Sequence, residues 1–166
     1  MARRRRDLAR VLQQSTEARR DVQTLVSAQI LSWLLAAPDG HAKNFSIAHL
    51  PGNRYESTPL YDVLSAHPVI GTRANQFAAQ RVRLAMAVRS KNAHYLIGEI
   101  QRRHWIAQGR RVGLAANDVE TMIDELGART PHVIDEVAAR LPRDFPMDVA
   151  ETIFDGMRRL ARKLAS

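Results

Sequence analysis

Apolar residues recur at helical spacing along most of this chain, and each run predicts a helix. Leu8, Val11 and Leu12 give one apolar face to a short helix over residues 3–14. Ser15 and Thr16 break it, and either hydroxyl is placed to cap the next helix. Residues 17–36 predict a longer helix, with Val22, Leu25, Val26, Ile30, Trp33 and Leu34 as its inner stripe. Pro38 stops it, since proline disfavours the α conformation before it and has no N–H to donate. Beyond the middle of the chain, Glu99–Arg111 reads as a helix with Ile100, Trp105 and Ile106 inward. Asn117 and Glu120 have the spacing of a capping box, opening a helix with Val119, Met122, Ile123 and Leu126 buried. Gly127 and Pro131 predict an interruption before Val133, Ile134, Val137 and Leu141 resume the stripe as far as Pro142. Asp144-Phe145-Pro146 opens a last helix with Val149, Ile153, Met157, Leu160 and Leu164 inside, its end suited by Arg162 and Lys163.

Helical spacing lapses in the middle. Phe45–Ala48 and Arg54–Ser57 flank Pro51-Gly52-Asn53, which is turn chemistry, so a hairpin is expected, ending at Pro59. Residues 66–75 carry Pro68 and Gly71 and read as loop; Gln76–Val88 mix both periods and take no assignment. The expectation is a single, mainly α domain over residues 1–166 with one small β-hairpin. There is no internal repeat and no low-complexity linker.

Composition narrows the chemistry. The 166 residues hold no cysteine, which excludes disulfides, thiolate nucleophiles and Cys-ligated zinc. No apolar run approaches a membrane span. The N-terminus, Met1 to Asp7, is basic but lacks the apolar core of a signal peptide, so a cytoplasmic location is the default. A net charge of +8, from 25 Lys+Arg against 17 Asp+Glu, favours acidic partners such as nucleotide phosphates or nucleic acid. The arginines come in scattered pairs that suit solvated helix faces, and Arg3–Arg6 reads as a solvated terminus or a junction with an upstream lobe.

One polar break stands out. Asp39 and Asn44 lie five residues apart after the long helix, and Asp62 follows the hairpin in Pro59-Leu60-Tyr61-Asp62-Val63-Leu64-Ser65, at the end of a β-like pair. Phosphoryl transfer needs a carboxylate to take the acceptor's proton and oxygen ligands to hold Mg²⁺, and Asp, then Asn, then Asp can supply that set. The plainer reading is that Asp39 caps an Asp-Gly turn and Asn44 opens a strand. His94, His104 and His132 are spaced too irregularly for zinc. Trp33 and Trp105 fall in apolar stripes as core residues, and neither Ser65 nor Ser90 has a visible His–Asp arrangement.

The wording around these residues goes further. Asp39-Gly40-His41-Ala42-Lys43-Asn44-Phe45-Ser46, with Pro59 to Ser65, resembles the C-terminal lobe of HipA-family serine/threonine kinases, the toxins of bacterial toxin–antitoxin pairs. The likeness continues at Leu84–Ala87, Lys91–Tyr95, Ile100–Trp105 and Leu141–Pro146, so it covers almost the whole chain. The resemblance implies a two-lobed kinase-like fold, ATP and Mg²⁺, and phosphorylation of a protein serine. It implies an aminoacyl-tRNA synthetase as target, and a helix-turn-helix antitoxin through which DNA is bound. Carried over residue by residue, it makes Asp39 the catalytic base and Asn44 and Asp62 the magnesium ligands. His41 and Lys43 become contacts to phosphate or substrate. Only 38 residues precede Asp39, and they read as helices. No G-x-G-x-x-G occurs, and Lys43 follows the base and cannot replace a strand lysine. The chain is therefore expected to be a catalytic lobe lacking most of the nucleotide-binding lobe, weak or inactive alone. The alternatives are a non-catalytic remnant that binds an antitoxin or target, and a basic DNA-binding helical module.

Overall fold

The structure, a computed structural model, describes residues 4–165, with side chains from Leu8 onward. The reading of the Arg3–Arg6 run lies outside the described side chains. Among the described residues there are five α-helices: α1 (Arg4–Leu12), α2 (Ala18–Leu34), α3 (Arg102–Arg111), α4 (Ala116–Arg140) and α5 (Met147–Leu164). Two hairpins sit between α2 and α3, β1 (Ile47–Leu50) with β2 (Arg54–Ser57) and β3 (Arg83–Arg89) with β4 (Ala93–Leu96). Among the described residues no helix is long and apolar enough to cross a membrane.

α2 is the axis. All six residues of its expected stripe are buried, and Ala28, Gln29 and Asp21 are buried with them. It ends at Leu34, short of Pro38, because the chain turns left-handed at Ala36 (φ 51°). The Ala37 N–H then reaches back to the Ser32 carbonyl at 2.7 Å and the Ala36 N–H to that of Trp33 at 3.0 Å, a Schellman closure. At its other end Glu17, not Ser15 or Thr16, holds the cap position, with no side-chain cap bond. The Thr16 N–H is taken instead by the Tyr55 carbonyl at 2.9 Å. In α1, Leu8 and Leu12 pack on the core as expected, but Ala9 joins them and Val11 is exposed.

Trp33 and Trp105 meet edge to face with centroids 6.1 Å apart, and the Trp33 indole donates to the Ile97 carbonyl at 3.0 Å. α3 and α4 pack closely at Gly109, where a Cβ would lie 2.2 Å from Val119 Cγ2. Ile134, Ala150 and Phe154 form a smaller cluster between α4 and α5.

Two expectations for α4 are corrected. α4 starts at Ala116 after Ala115 and has no side-chain cap, so Asn117 and Glu120 form no capping box. The capping box belongs to α3, where Gln101 and His104 exchange bonds with each other's backbone. α4 also runs unbroken through Gly127 and Pro131. The Thr130 hydroxyl donates to the Leu126 carbonyl at 2.6 Å in the turn the proline weakens, and packing of Ile134 on α5 carries the helix past it.

The second hairpin is the main addition to the expected fold. Leu84, Met86 and Val88 are buried and alternate with exposed Arg83 and Ala85, but Ala87 is buried too. The ladder shifts register between Arg83 and Val88. That irregularity produces the mixed periodicity of Gln76–Val88. β4 lies just ahead of α3, and α3 itself begins at Arg102, not Glu99.

Candidate active site

The C-terminal end of α2 leaves carbonyls without helical partners, and the segment after β2 takes them. The Ser65 hydroxyl donates to the Leu35 carbonyl at 2.9 Å and the Ala66 N–H to the same oxygen at 3.3 Å. The His67 Nε2 lies 2.8 Å from the Leu34 carbonyl. His67 is buried, and burial pushes its pKa below 6.5; Leu34's carbonyl opposes the shift and Arg159 adds to it. On its far side it meets α5 at Gly156, where a Cβ would lie 2.3 Å from the ring.

The segment before β1 leaves α2 directly. Residues 41–44 turn tightly, and the N–H of Asn44 bonds the His41 carbonyl at 3.0 Å. Tyr61 ties the two segments together: its hydroxyl lies 3.0 Å from the Lys43 carbonyl and 2.7 Å from the Ser46 hydroxyl. The first hairpin is fixed to α2 through Asp21, whose carboxylate accepts the Ser57 N–H and hydroxyl, each at 2.9 Å. Burial raises the pKa of this carboxyl, but the nearby Ser15 hydroxyl, the two bonds from Ser57 and the adjacent Arg20 outweigh it. The net shift is below the usual value.

These supports bring Asp39, Asn44 and Asp62 onto one small cleft, also lined by Ala28, Ser32, Tyr61 and Leu64, with about 30 Å³ of free volume. Asn44 is buried and its Nδ2 donates to Asp62 Oδ2 at 2.7 Å. That bond turns the carboxamide so that its carbonyl oxygen is not spent on Asp62. Asp62 holds a left-handed backbone (φ 56°), a strained conformation for a residue with a side chain. It lies in irregular chain beyond β2, not at the end of a strand pair as expected. Asp39 is exposed, and His41 Nε2 approaches its Oδ1 at 3.4 Å. The His41 Nδ1 is enclosed without a hydrogen-bond partner. Lys43 is exposed on the same turn.

The donor set is hard oxygen: two carboxylates and one amide carbonyl. Mg²⁺ suits such ligands and completes its shell with water or ligand phosphates, so the residues fit that ion. The cleft accommodates a water or two but no nucleotide. Among the described residues no three His, Asp or Glu side chains converge on a point. His94 and His104 do meet, as stacked rings 3.8 Å apart.

The motif spacing picks out the three polar residues of the cleft but not their supports. Asp21 does carry a signal in the sequence, an acid inside an apolar stripe, which needs buried donors to be tolerated. Tyr61, Ser65 and His67 carry no comparable mark, since their partners are backbone carbonyls.

Comparison with known proteins agrees with this fold. A sequence profile of the HipA-like C-terminal domain matches residues 3–134. Among solved structures, HipA of Shewanella oneidensis MR-1, in a toxin–antitoxin complex with HipB and operator DNA, superposes with a TM-score of 0.78 at 19% identity. The match covers 95% of this chain and 35% of that HipA, so the chain spans about a third of its length.

Proposed function

The chain belongs to the family of HipA-like C-terminal domains, and on that footing we propose that it forms the acceptor-activating and metal-holding part of a magnesium-dependent protein serine/threonine kinase of a toxin–antitoxin system. The observation that carries the reading is the Asn44–Asp62 hydrogen bond at 2.7 Å, made by an Asp in strained left-handed backbone, on the cleft that Asp39 also lines. Strain of this kind persists where the surroundings impose it, and here Tyr61, Ser65 and His67 impose it.

In this reading the Asp39 carboxylate accepts the proton of a serine hydroxyl as that oxygen bonds to the γ-phosphorus of ATP and the bridging P–O bond breaks. Asn44, through its amide oxygen, and Asp62, through its carboxylate, hold the cation. Bound Mg²⁺ neutralises charge on the phosphates. His41 orients Asp39 from 3.4 Å, and Lys43, on the same turn, meets phosphate or substrate. With about 30 Å³ in the cleft, the adenosine and most of the phosphate chain are gripped by groups outside the described residues, so activity of the 166-residue chain alone is weak. An antitoxin partner, and DNA contact through it, rest on the complex in which the Shewanella HipA is found; that the antitoxin is a helix-turn-helix protein rests on family resemblance. An aminoacyl-tRNA synthetase as substrate, and a cytoplasmic site of action, rest on family resemblance.

The test is phosphate transfer from γ-labelled ATP with Mg²⁺. Whatever labelling the chain supports is lost in Asp39→Asn and Asp62→Asn while the fold, followed by circular dichroism, is kept. Robust labelling that survives Asp39→Asn contradicts the assignment.

A further inference from the structure

Well apart in sequence from the Asp39 cleft, α1, β3 and the end of α3 enclose a second cavity of about 300 Å³. It shares no lining residue with that cleft. Its wall is Ala9, Arg10, Gln13, Arg89, Gln108, Arg111 and Val112, so every charged residue on it is an arginine. The chain's other arginines include several that face acids, such as Arg19 with Asp118 and Arg102 with Asp124. Arg10, Arg89 and Arg111 make no ion pair among the described residues.

The wall is held in place by its own bonds. The Arg111 guanidinium donates to the Ser90 carbonyl at 3.1 Å, which leaves most of its N–H groups unspent. The buried Gln108 accepts the Arg89 N–H at 2.8 Å and so fixes the base of that arginine. Gln13 donates to the Val112 carbonyl at 2.9 Å and links α1 to α3. Three like charges brought around one cavity without an acid repel one another, and an anion in the cavity reverses the sign of that interaction. Guanidinium forks pair with two oxygens at once, which favours phosphate oxyanions over halide. The volume is at the small end of ligand sites, so the ligand is compact and highly charged.

We propose that this cavity binds a small polyphosphate anion, with Arg10, Arg89 and Arg111 pairing its oxygens. The site is independent of the kinase reading, because it uses none of its residues.

The probe is inorganic triphosphate, titrated into the full chain by calorimetry with EDTA present, so that no divalent cation recruits it to Asp39, Asn44 and Asp62. One triphosphate binds per chain, and Arg89→Gln and Arg111→Gln each weaken binding at least about tenfold. Arg143→Gln, at an exposed arginine outside the cavity, leaves it unchanged, as does Asp62→Asn. Melting curves confirm that the variants fold. Short duplex DNA is the competing ligand: DNA binding that triphosphate does not displace, and that Arg89→Gln and Arg111→Gln weaken, would reassign the cavity to nucleic acid and overturn the proposal. Triphosphate binding that is absent, or is unchanged in the Arg89→Gln/Arg111→Gln double variant, overturns it as well.

Discussion

The middle of α2 and its C-terminal end are held by different physics. Its middle and the elements around Trp105 are fixed by packing: two indoles edge to face, and α3 on α4 with only a hydrogen's room at Gly109. Its C-terminal end and the segments 38–46 and 59–67 are fixed by single hydrogen bonds to backbone carbonyls, with exposed side chains at Tyr61, Val63 and Leu64. Packing makes any change of volume costly and presents mainly apolar groups. The bonded end leaves Asp39 and Asp62 open to solvent while still setting their positions. The comparison teaches that stability and chemistry in this chain are separable by residue, and each variant below either widens or closes that separation.

The largest effect belongs to the packed region. Trp105→Ala removes a fully buried indole and is expected to cost about 3–5 kcal/mol in urea unfolding, with partial unfolding at ambient temperature. Gly156→Ala comes next. Its methyl meets the His67 ring, so a loss of about 1–3 kcal/mol is expected. Because His67 also holds the Leu34 carbonyl, this variant is the one place where a packing change should weaken cation binding too. A Gly156→Ala protein with normal cation affinity would show the two regions to be more separate than the contacts suggest.

Proton linkage gives a smaller, graded effect. His67 and His104 are both shifted below 6.5, chiefly by burial. His104 is lowered further by His94, Arg103 and Lys163. Their unfolded forms therefore bind protons that the folded forms resist, so stability is complete above pH 6.5 and is lost as pH falls below it. Unfolding free energy should fall between pH 7 and pH 5, by up to about 1.4 kcal/mol per pH unit for each imidazole, and melting temperature should fall with it. The dependence should shrink in His67→Gln. Asp21, shifted down, adds a second loss only at more acid pH, as its carboxyl protonates below 3.8. A flat profile from pH 7 to 5 would remove the case for a buried neutral His67.

The smallest stability change belongs to the reactive end. Asp62→Asn keeps an acceptor for Asn44 and is expected to move stability by no more than about 0.5 kcal/mol, while cation binding falls at least tenfold. A large loss of stability would make Asp62 a structural residue.

The sequence shows these regions unequally, for the same reason. α2's stripe is legible because packing imposes a period on side chains, and Asp39, Asn44 and Asp62 are legible because chemistry imposes residue types at a spacing. The hairpin β1–β2 is legible in its Pro-Gly-Asn turn, whereas β3–β4 is hidden by the register shift that buries Ala87 beside Met86. The continuity of α4 through Pro131 is invisible locally, since α5 supplies it from outside. The supports of the site are hidden because Tyr61, Ser65 and His67 bond carbonyls, which every residue has.

The central claim, that Asn44 and Asp62 hold a divalent cation beside Asp39, is tested most directly by titrating Mn²⁺ into the isotopically labelled chain. Paramagnetic broadening is followed residue by residue in NMR spectra. The account predicts that amide signals of residues 39–46 and 58–65 broaden first in the wild type and are spared in Asp62→Asn. Broadening centred elsewhere, or unchanged in that variant, would contradict it.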